Sequence, residues 1–310
     1  MTSDRPGSSL SNARETVAEL FQDRYIKVGT FRTRYWKAGD AGSTIVLLAG
    51  LGCTVLEWQK NIAALASRHR VYAFDMLGHG LTDKPQGDCY STAGLARFTI
   101  DFLSALGEES VHLVGNSLGG RIVLECARMD PARVRSMVLV APAGVGRETA
   151  LSMRLAAVPI LGEVITHPSL MGTRMLWQLA FHDPSFLTRD FVATRYALAS
   201  EPGAQQAVLR TLRGFVSFGG FRRRQIAALQ AAMPTMKQPT LIIWGRQDKL
   251  VPADHARILE EKLQRASTIL FDNCGHFPQL EQSQRFNAAV FDFLRNVQEP
   301  APRGQIRCSG

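Results

Sequence analysis

The fold of this chain is decided by one stretch, Val111-His112-Leu113-Val114-Gly115-Asn116-Ser117-Leu118-Gly119-Gly120. Its first four residues form a short apolar run, which predicts a buried strand, and residues 118–129 have the apolar spacing of a helix. Between them lies a G-x-S-x-G turn, in which the two glycines leave room for a serine on strained backbone. The turn would present the Ser117 hydroxyl at the end of a strand, beside the unpaired N–H groups of a helix N-terminus.

The same rhythm of strand and helix continues on both sides of this turn. Further short apolar runs, each typical of a strand covered on both faces, lie at 44–49, 70–74, 134–140, 240–244 and 267–271. Stretches of helical length lie between and after them, at 55–67, 92–106, 118–129, 253–264 and 282–297. The alternation predicts an α/β fold with a mostly parallel central sheet flanked by helices. Residues 23–38 alternate in polarity and predict a hairpin.

The rhythm changes after residue 143. Residues 144–236 show apolar residues at three-to-four spacing, which predicts helices, with breaks at prolines and at the Gly219-Gly220 pair. We expect this segment to be a helical cap (lid), inserted at the carboxyl ends of the strands, where open α/β sheets bind ligands. The core of the fold would then comprise residues 21–143 and 237–297. Residues 1–20 and 298–310 are expected to be flexible tails.

Composition excludes several classes of protein. The chain has 310 residues, of which 45% are apolar and 20% charged, so it can bury a core and is not a disordered chain. No apolar run approaches the ~18 residues of a transmembrane helix, and the polar first twenty residues lack the apolar region of a signal peptide. We therefore expect a cytoplasmic protein without an integral membrane segment. The five cysteines lack metal-ligand spacing, so we expect reduced thiols and no metal.

The positive charge of the chain is unevenly distributed. Its net charge is +9, and residues 144–236 hold ten arginines, no lysine and five acids. The run at 222–224 is best explained as a solvated helix face, with attraction of an anionic substrate or surface as the alternative. No aromatic residues interleave with the basic ones, so we expect no nucleic-acid partner.

A serine nucleophile needs a base, and the base needs a group that orients it. His276 follows the last predicted strand in a loop with a glycine before it and a helix after it, so it can reach over Ser117. Asp248 follows the strand at 240–244 and points to the same end of the sheet. We therefore predict a catalytic triad of Ser117, Asp248 and His276, which needs no cofactor.

The order Ser117, Asp248, His276 resembles that of the α/β-hydrolase superfamily. The resemblance extends over about residues 22–297. It implies an oxyanion hole formed by the backbone N–H groups of Leu118 and Leu51. This chain has Ala49 before Gly50 where most relatives have histidine, which affects the shape of that loop. Serine at the nucleophile position disfavours the epoxide- and halide-cleaving members, which use aspartate.

An ester hydrolase is the first functional hypothesis. It would cleave a carboxylic ester of a small to medium hydrophobic substrate through an acyl-serine intermediate. The alternative is a C–C bond hydrolase of ring-fission products from aromatic degradation, which the chain resembles in Asn116 and in 181–183 followed by Arg195. The resemblance gives Arg195 the substrate carboxylate, and Gly50, Asn116 and Phe277 would also bind substrate. Phe277 departs from the tryptophan that is usual in those enzymes.

A hypothesis of another class also stays open, that the chain is a non-catalytic receptor for a small molecule. The complete triad favours an enzyme. The sequence leaves the formation of a homo-oligomer open.

Overall fold

The structure, a computed structural model, describes residues 21–298 of the chain. The N-terminal tail predicted at 1–20 lies outside the described residues. So does the C-terminal tail predicted at 298–310, apart from residue 298. Within them the strands, numbered in chain order, are β1 (Arg24–Val28), β2 (Phe31–Ala38), β3 (Thr44–Leu48), β4 (Arg70–Phe74), β5 (Val111–Asn116), β6 (Val134–Val140), β7 (Val216–Ser217), β8 (Gly220–Phe221), β9 (Thr240–Gly245) and β10 (Ala266–Phe271).

The α-helices of the described residues are also numbered in chain order. They are α1 (Ile62–Leu65), α2 (Thr92–Leu106), α3 (Leu118–Met129), α4 (Leu151–Ala156), α5 (Leu161–Ile165), α6 (Leu170–Ala180), α7 (Arg189–Ala199), α8 (Ala204–Phe215), α9 (Arg223–Ala232), α10 (His255–Lys262), α11 (Pro278–Glu281) and α12 (Ser283–Gln298). Short 3-10 helices lie at Val55–Trp58, Pro131–Arg133, Pro184–Phe186 and Met233–Thr235.

Eight strands form one sheet in the order β1-β2-β4-β3-β5-β6-β9-β10. The β1–β2 hairpin and the β2–β4 pair are antiparallel, and the other neighbours are parallel. Every residue of β3, β5 and β9 is buried, as expected for parallel strands that have helices on both faces. The predicted mostly parallel α/β sheet is therefore confirmed.

The carboxyl ends of the central strands form one edge of the sheet. Asn116, the last residue of β5, pairs with Val140 of β6, and Val140 pairs with Ile243 of β9. Leu48, the last residue of β3, pairs with Gly115 on the other side of β5. Loops that leave these strands therefore start close together in space.

Residues 144–236, which we name the inserted segment, run from the end of β6 towards β9. The helices α4 to α9 lie in this segment. The predicted helical pattern does not extend through 216–221, where β7 and β8 form a two-stranded hairpin at the predicted glycine break. Gly220, the first residue of β8, has a φ of 98° directly after the turn, a conformation that glycine tolerates best.

The helix predicted over 55–67 is wrong, because the structure divides it into a 3-10 helix, Val55–Trp58, and the short helix α1. Thr54 and Glu57 form a capping box at the start of the 3-10 helix. Asn61, between the two pieces, donates its side-chain amide to the carbonyl of Gln279 in α11 and to the side-chain oxygen of Asn287 in α12. These contacts connect the break to the C-terminal part of the core.

Candidate active site

Ser117 lies on a strained turn between β5 and α3. Its backbone has a φ of 56° and a ψ of −117°, which non-glycine residues rarely adopt. The backbone N–H of Ser117 donates to the Val140 carbonyl at 2.8 Å, and its own carbonyl accepts from Ala143 at 3.0 Å. Neighbouring β6 and the loop after it therefore hold the turn on both sides.

The two glycines of the motif are required by close packing. A Cβ on Gly119 would collide with the carbonyl oxygens of Leu48 and Ala49, and a Cβ on Gly115 would collide with the backbone of Gly119. The first turn of α3 thus lies directly against the end of β3. This contact is the physical reason for the spacing of the motif.

His276 and Asp248 form a buried pair. Nδ1 of His276 lies 2.6 Å from Oδ2 of Asp248, and both side chains are almost fully buried. The other carboxylate oxygen of Asp248 accepts the backbone N–H groups of Leu250 and Val251, at 2.8 and 3.0 Å. These bonds fix the carboxylate, which in turn fixes the orientation of the imidazole ring.

Asn116 connects the His276 loop to the serine turn. Its side-chain amide donates to the carbonyl of His276 at 3.1 Å and to that of Val140 at 3.2 Å. The residue directly before Ser117 therefore holds the backbone of His276. The Asn116 amide nitrogen is occupied by these two carbonyls, which gives the residue a role in positioning that the sequence did not predict.

The loop after β3 packs against Ser117. A Cβ on Gly50 would lie 3.2 Å from Cβ of Ser117, so the loop approaches the serine as closely as a glycine allows. The Cys53 N–H donates to the Gly50 carbonyl at 3.1 Å, which makes the chain turn at Leu51. Leu118 is the buried first residue of α3. The two predicted oxyanion donors thus belong to the two backbone segments that adjoin Ser117.

Arg195, on α7, lies in a buried ion pair that the sequence did not predict. Its Nε and Nη2 donate to Oε1 of Glu57 at 3.2 and 3.0 Å, and the exposed fractions of the two side chains are 9% and 1%. Oε2 of Glu57 accepts the N–H of Thr54 at 2.6 Å. The sequence signal of Glu57 was only that of a capping box, which predicts a helix start and not a partner on α7.

Phe277 joins an aromatic cluster. Its ring stacks on Trp177 of α6 with centroids 4.9 Å apart, and it lies 5.6 Å from Phe181. The neighbouring His276 donates its backbone N–H to the Ala180 carbonyl at 2.7 Å. The His276 loop is therefore covered by the end of α6.

Glu281 makes a second connection between this loop and the inserted segment, which the sequence did not predict. Its carboxylate accepts the N–H groups of Gly275 at 2.8 Å, His182 at 2.7 Å and Asp183 at 3.3 Å. Burial raises the pKa of Glu281, although these donors act in the opposite direction. Its position five residues after His276 was the available signal.

Two further observations concern residues 21–298 only. No group of three or more His, Cys, Asp or Glu side chains is placed to hold a metal ion. None of the helices in this range is long and apolar enough to span a bilayer.

Burial raises the pKa of the Cys53 and Cys274 thiols, which keeps both protonated.

Comparison with known proteins identifies the family of this chain. Residues 43–283 match the family model described as alpha/beta hydrolase fold. The chain is 33% identical over 278 residues to a 2-hydroxy-6-oxo-2,4-heptadienoate hydrolase of Pseudomonas putida, which covers 87% of this chain and 95% of the relative. It is 31% identical over 296 residues to a 2-hydroxymuconate semialdehyde hydrolase of a Pseudomonas species, with 94% and 99% covered.

A solved structure agrees with these relatives. The meta-cleavage product hydrolase from Pseudomonas fluorescens superimposes with a TM-score of 0.77 at 32% identity, and the match covers 88% of this chain and 98% of that chain. The family match extends over most of the described core and includes all three residues of the predicted triad. The chain therefore belongs to the α/β-hydrolase fold family.

Proposed function

We propose that this hydrolase cleaves a carbon–carbon bond in a ring-fission product of aromatic degradation, a 2-hydroxy-6-oxo-dienoate. The observation that carries the proposal is the similarity, over nearly the full length of both chains, to hydrolases named for such substrates. This substrate class was the alternative in the sequence analysis, and it now takes precedence over the ester.

In the proposed mechanism Ser117 is the nucleophile and His276 the base. His276 takes the hydroxyl proton as Oγ bonds to the keto carbon of the substrate, and Asp248 stabilises the resulting imidazolium. The C–C bond then breaks, and its electron pair moves to the dienoate carbon, which receives the proton from His276. Water, activated by His276, hydrolyses the acyl-serine to a carboxylic acid and restores the enzyme.

Negative charge that develops on the substrate oxygen would be stabilised by the N–H groups of Leu118 and Leu51. The packing of Gly50 on Ser117 supports this assignment, because it brings the Leu51 backbone to the serine. Loss of one such donor raises a reaction barrier by roughly 3–4 kcal/mol. We further propose that the inserted segment, 144–236, is a cap on a core formed by 21–143 and 237–297.

Substrate binding is assigned to Gly50, Asn116, Arg195 and Phe277. Arg195 would bind the substrate carboxylate through Nη1, the guanidinium nitrogen that does not hydrogen bond to Glu57. Phe277, stacked on Trp177, would provide an apolar wall. In this arrangement the carboxylate meets an arginine whose charge Glu57 already balances.

That balance is the observation that supports a second candidate, a neutral carboxylic ester. A buried Arg195–Glu57 pair has no net charge, so an uncharged substrate can lie beside it without competing with Glu57. The acyl-serine steps would be the same, with an alkoxide as leaving group. The two candidates therefore differ in the charge of the substrate.

The experiment compares kcat/KM for an anionic 2-hydroxy-6-oxo-dienoate, followed by loss of its absorbance, with that for p-nitrophenyl butyrate. Ser117→Ala should abolish both reactions. Preference for the dienoate, with a loss of at least about tenfold in Arg195→Ala that the ester does not share, supports C–C cleavage. Arg189→Ala, which changes an exposed arginine on the same helix, is the matched control.

Other outcomes select the other hypotheses. Ester turnover with no activity on the dienoate would replace the proposal by the ester hydrolase. If neither substrate reacts while a dienoate still raises the melting temperature, the chain is a receptor.

A further inference from the structure

The inserted segment has an outward face made of large apolar side chains. In α5, in α6 and in the residue before α5, nine such side chains are exposed, and the exposed fraction reaches 80% at Ile160, 74% at Met171 and 69% at Val164. We name this set the apolar face; it consists of Ile160, Leu161, Val164, Ile165, Leu170, Met171, Met175, Leu176 and Leu179. Elsewhere in the described residues the exposed large apolar side chains are Tyr25, Leu151 and Phe218.

Helix α6 is apolar on both sides. Trp177 and Ala180 point inward and are buried against the core, as the inner face of an amphipathic helix requires. Met171, Met175 and Leu179 follow one another at a spacing of four residues on the exposed side, where polar residues are expected. A second apolar side on a surface helix indicates that something outside the described residues covers it.

The backbone also presents Ile160 outward in a rare conformation. Ile160 has a φ of 68° and a ψ of −55°, and the Leu161 N–H donates to the Pro159 carbonyl at 2.8 Å. These are the features of a γ-turn, a conformation that is strained in a β-branched residue. Ile160, at the start of the face, is also its most exposed side chain.

The charge around this face is positive. Arg174, the only charged residue of α6, is exposed, and α4, the helix that contacts α5, carries Arg154. The acid within the face, Glu163, is bound at 2.7 Å by Arg213. The whole segment holds ten arginines and five acids. A second copy would place like charge against like charge, whereas an anionic surface is complementary.

We propose that the apolar face docks this protein on the surface of an anionic lipid bilayer. The nine side chains would enter the boundary between headgroups and acyl chains, and the arginines around them would contact lipid phosphates. The contact is peripheral and lies on the inserted segment. It is independent of the substrate proposed above, because it involves none of the residues assigned to the active site.

The test is co-sedimentation of the full chain with vesicles of phosphatidylcholine alone or with added phosphatidylglycerol. The protein should bind the anionic vesicles, and salt should weaken the binding. The neutral double change Met171→Ser with Met175→Ser should reduce the affinity by at least about tenfold, since it removes apolar contact. Melting temperature and hydrolysis of a soluble substrate should not change.

A charged pair of variants separates the face from general electrostatics. Val164→Asp adds a negative charge on the face, and Asn296→Asp adds one on α12 of the core, where the side chain is also exposed. The first should prevent binding and the second should leave it nearly unchanged.

Three results would overturn the proposal. Binding that the serine substitutions leave intact would be purely electrostatic, and no binding to anionic vesicles at low salt would refute docking outright. If the wild type is a dimer in the absence of lipid and the double variant Met171→Ser with Met175→Ser is a monomer, the face belongs to a second copy.

Discussion

Substitution of Glu57 should have two separate effects. It should change both the free energy of unfolding and the preference of the enzyme for a charged substrate. Glu57 and Arg195 lie in different parts of the fold, on the 3-10 helix after the β3 loop and on α7. Glu57→Ala would leave the guanidinium of Arg195 buried over the ring of Phe191, 3.7 Å from its centroid, without its carboxylate. A buried charge without a partner is expensive.

The magnitude follows from the burial of the pair. With exposed fractions of 1% and 9%, loss of one partner should cost about 3–5 kcal/mol of unfolding free energy. In a chain of this size that corresponds to a fall in Tm of about 6–20 °C. Arg195→Ala should cost a similar amount. The double variant should cost less than the sum, with a coupling of about 2–3 kcal/mol.

The assay is urea denaturation of wild type, both single variants and the double variant, monitored by tryptophan fluorescence. Asp292→Ala is the control, because it breaks an exposed ion pair with Arg295 and should have little effect. Additive costs of the two single variants, or a cost of Glu57→Ala as small as that of the control, would refute the reasoning.

Activity provides the second measurement on the same residue. Glu57→Gln keeps the shape of the side chain but removes the charge that competes with a substrate carboxylate. Relative to a neutral ester, kcat/KM for an anionic dienoate should rise by about tenfold, the value of one added charge-assisted hydrogen bond. An equal change for both substrates would show that Arg195 does not contact the carboxylate.

Three further predictions concern Asp248, the turn at Gly119 and the effect of pH on the free energy of unfolding. Asp248→Asn should lower kcat by about 10⁴-fold in steady-state assays while the protein stays folded by circular dichroism, because the amide no longer orients His276 correctly. Gly119→Ala should cost about 1–3 kcal/mol in urea denaturation, since its methyl group meets two carbonyl oxygens at the end of β3. Gly214→Ala, with no atom nearer than 3.7 Å to the new methyl, should be neutral or stabilising. Burial lowers the pKa of His112 to about 4, below its value in the unfolded chain, so unfolding free energy should fall as pH drops from about 6.5 towards 4; His112→Asn should flatten that slope, and an unchanged slope would contradict the assignment.

The sheet was predictable because its strands are covered on both faces. A parallel strand with helices on either side reads as an uninterrupted apolar run, and the runs at 70–74 and 134–140 coincide with β4 and β6. The β7–β8 hairpin has only two residues in each strand, too few for any periodicity. The break in the helix predicted over 55–67 depends on contacts of Asn61 with residues more than 200 positions away.

The candidate site was predictable where local sequence determines it. The G-x-S-x-G turn and the loops after β9 and β10 each carry their own signal, and their meeting follows from the parallel order of the strands. Glu57 and Glu281 carry only weak signals, a capping-box position and a position close to His276. Glu57 contacts a residue 138 positions away and Glu281 one 99 positions away, and such pairs arise only once the inserted segment has packed on the core.

These long-range pairs restrict how the active site can open. The backbone N–H of His276 donates to the Ala180 carbonyl, and the Glu281 carboxylate accepts the N–H groups of the two residues that follow Phe181. The end of α6 and the His276 loop therefore form one unit. If the whole inserted segment lifted away, it would pull His276, the proposed base, away from Ser117. Substrate entry should therefore involve motion of α4 and α5 while the end of α6 stays in place. Hydrogen exchange should then be slow at 180–183 and faster at 151–165.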